Sequence, residues 1–409
     1  MKDFTPLLDS VRLARIAEDL WTLVNIPSPT GDEREAVMAY AEMLRSAGAE
    51  VQVDETNPAS PSVIGRLKGS RPGKTFQLAG HIDHISVPHP APKRDEKIIS
   101  GRGSADMKSG LAAILEMVRI LRNAGRDFPG EILVTVCGMH EAPEGDGSVL
   151  KELISRGVLG DAALVAESTL DCEGKAVIMG AGQSIWNIRI RWKGEVCHEL
   201  MRPPEADSLL EVALKVVALL RAHDGAVKQQ SNNFSRGVAI AALPRRRLLP
   251  PESLFIGQLH YGDFYNRTPN ICSLQGTRRW HPDRDFPFVE KELKGLLACL
   301  PHPANIVIEN NWTFVGEAYS IDPEETVVRA MRSAHKTVTG RDMPLAGTSV
   351  ITDANRLVSY GHIPAVLCGF DNEFAHADHE FVRIEKLLQP CKVALLAALN
   401  YLELEEVRI

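Results

Sequence analysis

The chain has 409 residues, 44% hydrophobic and 24% charged, with a formal net charge of −7. That length exceeds what one small core organises, so two or three domains are expected, and the composition is that of an ordinary globular protein without a disorder signature. The mild negative balance gives no reason to expect a nucleic-acid partner, and no apolar run approaches the length of a bilayer span.

The N-terminus, MKDFTPLLDSVRLARIAEDL, is amphipathic and carries acids, unlike a signal peptide. Residues 7–24 have helical spacing. Residues 28–48 read as a second helix, with a Ser/Thr/Asp cluster suited to an N-cap and an Ala47-Gly48 stop. EVQVDE, SVIGRLKG and KTFQLAGHIDH read as strands, the last ending in His81. DMKSGLAAILEMVRILRNAG is an amphipathic helix, and the short helix SVLKELISRG separates strands EILVTVCGM and DAALVAES. This alternation predicts an α/β fold with a mostly parallel central sheet.

After about residue 180 the pattern changes. QSIWNIRIRWKG, the long helix ADSLLEVALKVVALLRAH, RGVAIAALP, NICSLQGTRRW, the helix FVEKELKGLLACL and NIVIEN follow in β-α-β-β-α-β order, the ferredoxin-like arrangement. From about 315 come the helix ETVVRAMRSAHKTVTG, the strand PAVLCGF and a last helix interrupted by Pro390. The expected organisation is a discontinuous catalytic domain, 1–182 and 315–409, with an α+β domain inserted at 183–314. The basic stretch PRRRLLPP (244–251) reads as a solvated loop. Seven scattered cysteines without a CxxC pair favour reduced thiols in a cytoplasm over disulfides or a cysteine zinc site.

Five places carry side chains suited to chemistry. In AGHIDH, His81 and Asp83 share one face of extended chain, so an imidazole could bind a metal while the carboxylate organises it. In SGRGSADMKSG, Asp106 follows a glycine-rich turn that fails both the phosphate-loop and the dinucleotide spacing; it is an N-cap or a bridge between two ions. His140 and Glu141 stand together in EILVTVCGMHEAPEGDGS; Glu167 follows a buried-looking strand, where a solvated acid is not expected; His376 follows PAVLCG through a polar loop. His84 and His89 read as surface residues. Each signal alone is weak. Together they gather at the C-terminal ends of strands in one α/β domain, where ligands bind. Carboxylates with imidazoles and no cysteine suit Zn²⁺, Co²⁺ or Mn²⁺, one or two ions.

These residues resemble the aminoacylase / acetylornithine deacetylase / succinyl-diaminopimelate desuccinylase family of zinc metallopeptidases. GHIDH is similar to its GHxD motif and GRGSADMKSG to its GRGxxDMKxG motif; IPSPTGDEREAV, WKGEVCHE, NRTPNICSLQGTRRWHP, GTSVITDANRL and GFDNEFAHADHEFV are similar to further landmarks, in the right order over nearly the whole chain. The resemblance implies a zinc-dependent catalytic domain, an inserted lid or dimerisation domain, a homodimer, and hydrolysis of an amide next to a free carboxylate in an N-acyl amino acid or short peptide. It implies that His81 and His376 each hold one ion, that Asp106 bridges them, that Glu167 is a further ligand and that Asp83 orients His81. It also implies that His198 helps stabilise the oxyanion, often across a dimer, and that Asn266 and Arg279 bind substrate. Arg267 and Arg278 are more simply explained as surface residues.

One place departs from the family, which normally shows Asp-Glu-Glu where this chain has Met139-His140-Glu141-Ala142-Pro143-Glu144. Counting from the strand puts His140 on the general base and Glu141 on the metal ligand; counting back from Gly145 puts Ala142 and Pro143 there. Strand length fixes where a turn presents its side chains, which favours the first count. Three assignments follow: His140 as base, Glu141 as base with one ligand fewer, or Glu144 swinging in. The broken pair also admits a catalytically impaired homologue that binds metal and acylated amino acids or peptides without turnover.

Overall fold

A computed structural model describes residues 3–167, 174–237 (backbone only beyond 230) and 248–404. They divide into two compact units, Met1–Gly180 with Ser320–Ile409, and Ala181–Tyr319. Among the described residues no helix is long and apolar enough to cross a membrane.

In the first unit, strands Pro129–Cys137, Arg71–His81, Ala162–Val165 and Ala365–Cys368 lie side by side in that order and run parallel. Glu50–Asp54 and Ser62–Lys68 extend one side antiparallel, and Ala176–Gly180 joins the other antiparallel. Ala162–Val165 and the second half of Arg71–His81 are buried without alternation, as strands covered on both faces are. Register aligns the strand ends: His81 pairs with Cys137, Ala79 with Val165, and Val165 with Leu367. The turns that follow these strands therefore open on one edge of the sheet.

Three helix expectations change in detail. The first helix is a 3₁₀ turn, Thr5–Ser10, followed by a separate α-helix, Leu13–Val24. The second runs Arg34–Ala47 without a side-chain cap, because Ser28 and Thr30 turn to the AGHIDH segment instead: Ser28 Oγ donates to Ile82 O and Thr30 Oγ1 to an Asp83 oxygen. Pro390 does not interrupt the last helix, Leu388–Glu403; it lies in the first turn, where its missing N–H has no intrahelical partner to lose.

The second unit is a four-stranded antiparallel sheet in the spatial order Ser253–Tyr261, Ile271–Trp280, Gly182–Trp192, Ile306–Gly316, with helices Ser208–Gly237 and Phe286–Ala298 between strands in the chain. This is the ferredoxin-like order. Trp186, Ile188, Ile190, Leu274, Val212, Val216 and Leu293 form its core. Most of RGVAIAALP lies outside the described residues, as do Arg245, Arg246 and Arg247 of the basic stretch. The strand observed before Ile271–Trp280 is Ser253–Tyr261, which sequence alternation did not reveal because most of its side chains are exposed, Phe255 and Leu259 among them.

Candidate metal centre and active site

His81 ends its strand fully buried, and its Nδ1 is engaged by Asp83. Nδ1 lies 3.1 Å from the Asp83 backbone oxygen and 3.4 Å from Asp83 Oδ1, which turns Nε2 towards Asp106 Oδ1 at 3.2 Å. Asp83 is itself an organiser. Its Oδ2 accepts Thr30 Oγ1 and the backbone N–H groups of both His140 and Glu141, each at 2.9 Å. Met139 makes this possible by adopting left-handed backbone (φ 55°) directly after the strand, with its N–H donating to Glu33 Oε1 at 2.9 Å. One buried carboxylate thus fixes the position of the His-Glu pair.

Asp106 reaches the same spot from an irregular segment before the helix Ser109–Asn123, and its carboxylate caps no helix. The glycine-rich loop wraps around another acid: Glu380 Oε1 accepts the Ala105 and Asp106 N–H groups at 2.9 and 3.2 Å, and Glu380 Oε2 accepts from Arg102 at 3.0 Å. Asp106 Oδ2 lies 3.2 Å from His376 Nε2, which is also 3.2 Å from Glu141 Oε1. His376 is the most open member, its side chain 49% exposed, and it too has left-handed backbone (φ 63°). Glu167 is buried two residues beyond Val165.

Among the buried atoms of this cluster that make no hydrogen bond are His81 Nε2, Asp106 Oδ1 and Glu167 Oε2, with Asp83 Oδ1 behind His81. Buried polar atoms are normally satisfied, so an unsatisfied group of nitrogen and oxygen lone pairs at one place fits a cation. Ligand atoms of His81, Asp106 and Glu141 lie within 4.8 Å of one another, as do those of His81, His140 and Glu167. The electrostatics of the ion-free cluster agree. Burial and the neighbouring Asp106 push the Glu167 carboxyl well above its ordinary range. Burial works against charge on His81, but Asp106 and Asp83 outweigh it and hold that imidazole well above its usual value. Contacts with Asp106 and then Glu141 raise His376 to about 10 against its partial burial. Protons here stand in for a missing positive charge.

His140 has two neighbours of a different kind. Its ring stacks on that of His81, with centroids 4.0 Å apart and planes 9° from parallel. Its Nδ1 lies 2.9 Å from Asp353 Oδ1 and 3.2 Å from Arg356 Nη1, which in turn reaches Asp353 Oδ1 at 3.3 Å. In parallel stacked rings the in-plane lone pairs run side by side and do not converge on one ion. Ala142, Pro143 and Glu144 are exposed on the loop beyond. Sequence reading did not single out Asp353 and Arg356. The available signal was an acid and an arginine three apart at a helix start, inside an otherwise apolar-flanked segment.

The other predicted residues fall in the second unit. His198 is exposed; Leu200 N–H donates to its Nδ1 at 3.2 Å, and its Nε2 lies 3.3 Å from the Asn266 amide nitrogen. Arg279 is not brought to them. It sits near the far end of Ile271–Trp280, roughly 27 Å along the strand from Ile271 at about 3.4 Å per residue. Arg278 is not a surface residue: it is buried and paired with Glu252 at 2.7 Å. Arg267 is exposed and paired with Asp263. His84 and His89 are half-buried rather than surface residues, accepting from the backbone N–H groups of Ser28 (3.0 Å) and Glu380 (2.9 Å). Both tie down the loops around the cluster.

Histidines and carboxylates gathered at the C-terminal edge of a parallel sheet, in a chain interrupted by a βαββαβ unit, define a metallopeptidase-type α/β fold. Residues 77–400 match the model of Peptidase family M20/M25/M40, and the chain belongs to that family of hydrolases. An N-formyl-4-amino-5-aminomethyl-2-methylpyrimidine deformylase of Halalkalibacterium halodurans is 26% identical over 416 residues, covering 91% of each chain. A succinyl-diaminopimelate desuccinylase of Parvibaculum lavamentivorans is 24% identical over 386 residues, covering 90% of each. The crystal structure of a dinuclear metal-binding peptidase of the M20 family from Bacillus subtilis shares the fold, with a TM-score of 0.66 at 18% identity over 96% of this chain and 98% of that one.

Proposed function

We propose that this chain is a metal-dependent amidohydrolase that cleaves the amide bond of an N-acyl amino acid or short peptide. The observation that carries the reading is the group of buried atoms without hydrogen bonds, His81 Nε2, Asp106 Oδ1 and Glu167 Oε2, beside the Asp106–His376–Glu141 contacts. His81, Asp106 and Glu167 would hold one ion and Asp106, Glu141 and His376 a second, with Zn²⁺ the natural occupant and Co²⁺ or Mn²⁺ compatible with the same donors. A divalent ion bound there supplies Lewis acidity that polarises the amide carbonyl and acidifies the attacking water.

The protein's own groups do the rest. Asp83 fixes the His81 ring and, through two backbone N–H groups, the His140–Glu141 turn. His140 accepts the proton of the attacking water and returns it to the leaving amine. Glu141 stays a ligand, since its carboxylate faces His376. His198 donates to the developing oxyanion, Asn266 beside it binds substrate, and Arg279 binds substrate at a separate point of the same sheet. The relatives act on a formyl group on an aminomethylpyrimidine and on a succinyl group on an amino acid. Both support deacylation, and the first extends the range to amines without a free carboxylate. Exposed Leu259, Tyr261, Phe264 and Tyr265 on and beside the edge strand Ser253–Tyr261 favour a homodimer through the second unit. A cytoplasmic setting follows from the reduced cysteines of the sequence reading. A binder without turnover gains no support, because the position of the missing glutamate holds a group able to accept a proton.

Purified protein assayed with Zn²⁺, Co²⁺ and Mn²⁺ against N-formyl and N-acyl amino acids, N-formyl aminomethylpyrimidine and dipeptides tests the reading. Metal-dependent, chelator-sensitive release of amine from at least one of them is expected. Absence of turnover across the panel, with metal bound, overturns it.

A further inference from the structure

His140 stands where the family carries a carboxylate, and the exchange brings a requirement that a carboxylate does not have. Either oxygen of a carboxylate can accept a proton. A neutral imidazole accepts at one nitrogen only, and the tautomer decides which. Free neutral histidine favours hydrogen on Nε2. In this chain Nδ1 is already taken up by Asp353, so Nε2 is the nitrogen left to face a reacting water. The free-histidine tautomer would leave it without a lone pair.

Asp353 reverses that preference. Its carboxylate is buried with the Arg356 guanidinium 3.3 Å away, a pairing that favours the ionised form. An ionised carboxylate only accepts, so at 2.9 Å the hydrogen must sit on His140 Nδ1. One Arg356 Nη1 hydrogen goes to Asp353 Oδ1 at 3.3 Å, and Nη1 also approaches His140 Nδ1 at 3.2 Å, where it competes with the shorter Asp353 contact for that nitrogen. Both partners are rigidly held. Asp353 is the first residue of the helix Asp353–Ser359, whose start is closed by the Thr352–Asn355 capping box. Arg356 lies one turn later, 1% exposed, with its guanidinium against Gly147. The arginine also offsets one more negative charge beside Asp83, Asp106, Glu141 and Glu167.

We propose that Asp353, backed by Arg356, is a positioning residue for the reaction: it holds His140 in the Nδ1–H tautomer, so that Nε2 carries the lone pair that takes the proton of the attacking water. As the water oxygen bonds to the acyl carbon, its O–H bond breaks and the proton forms a new N–H bond at Nε2. The imidazolium keeps its Nδ1 hydrogen on Asp353 and gives the Nε2 proton to the leaving amine. This inference rests on the reading of His140 as proton acceptor.

The experiment uses the full chain labelled with ¹⁵N-histidine, with and without Zn²⁺, as wild type, Asp353→Asn, Asp353→Glu and His140→Gln. Nitrogen shifts of His140, assigned by their loss in His140→Gln, report the tautomer; zinc content and turnover of the best substrate from the panel are read on the same samples. Expected are a pyridine-like Nε2 and a pyrrole-like Nδ1 in wild type. Asp353→Asn should exchange the two and lower turnover by about 10²–10⁴-fold, the range for misplacing a catalytic imidazole proton, with zinc retained. Asp353→Glu should keep the tautomer and recover part of the rate. Hydrogen on Nε2 in wild type overturns the inference even if neither Asp353 variant folds. So does Asp353→Asn with unchanged turnover, or with zinc lost. If His140→Gln is as active as wild type, the reading of His140 as proton acceptor fails, whatever the tautomer.

Discussion

Gly147 tests how tightly Arg356 is held behind His140. The glycine has φ of +65°, and its N–H donates to Met139 O at 2.7 Å, closing the loop that follows the His-Glu pair. A methyl group added there would fall 1.6 Å from Arg356 Nε and 2.1 Å from its Cζ. Gly147→Ala therefore carries two penalties. Left-handed backbone costs an alanine about 1–2 kcal/mol. Displacing a buried guanidinium from a buried carboxylate costs about 3–5 kcal/mol, the range for leaving one charge of a buried pair uncompensated. Gly125 separates the two, since it has φ of +74° with nothing within 4 Å of an added Cβ. Gly125→Ala should lose only the backbone part. Urea denaturation of both variants, followed by fluorescence without added metal, should then differ by about 3–5 kcal/mol. Gly147→Ala should also lose turnover, because Asp353 no longer has its counter-charge, while Gly125→Ala keeps it. A difference below about 1 kcal/mol, well under that range, would mean that Arg356 moves aside freely and is no fixed support.

Metal uptake should release protons. With His376 held at about 10, its imidazole is protonated at neutral pH in the ion-free protein, and Asp106 and Asp83 push His81 the same way against its burial; a ligand must shed its proton to bind. Apparent Zn²⁺ affinity should therefore climb with pH, by about 10-fold per unit for each proton displaced; titration calorimetry in buffers of different ionisation enthalpy measures the count, and release of fewer than about one proton contradicts the assigned ligands. His198→Ala should lower turnover by about 10²–10³-fold, as loss of one oxyanion donor does. Because His198 is exposed, its thermal midpoint should stay at the wild-type value; an unchanged rate would remove it from the site.

Much of the fold was readable because its signals are local. Parallel strands buried on both faces leave uninterrupted apolar runs, and the amphipathic helix Ser109–Asn123 carries its own period. What escaped depends on partners distant in sequence. Ser253–Tyr261 pairs through its backbone while exposing most of its side chains, so alternation had nothing to follow. Ser28 and Thr30 looked like helix caps, yet their hydroxyls serve Ile82 and Asp83, more than fifty residues away. His84 and His89 looked solvated because nothing nearby in the chain shows that Ser28 and Glu380 donate to them.

The candidate site divides in the same way. His81, Asp83, Glu141, Glu167 and His376 could be picked out because each ends or follows a strand of the central sheet, and Asp106 because it stands in a glycine-rich motif before a helix. Asp353 and Arg356 belong to no such pattern. They were hidden in GTSVITDANRL as the polar start of a short helix, and only the packing of that helix brings them to His140. Yet the chemistry of the departure already called for them. A glutamate base can work without a partner to set its protonation site, whereas a histidine that must present Nε2 needs an acceptor on Nδ1. That acceptor adds a charge to a place already crowded with carboxylates, so it needs a cation of its own. If His140 takes the place of a catalytic glutamate, as proposed above, the buried acid and the buried cation it calls for are three residues apart on one helix.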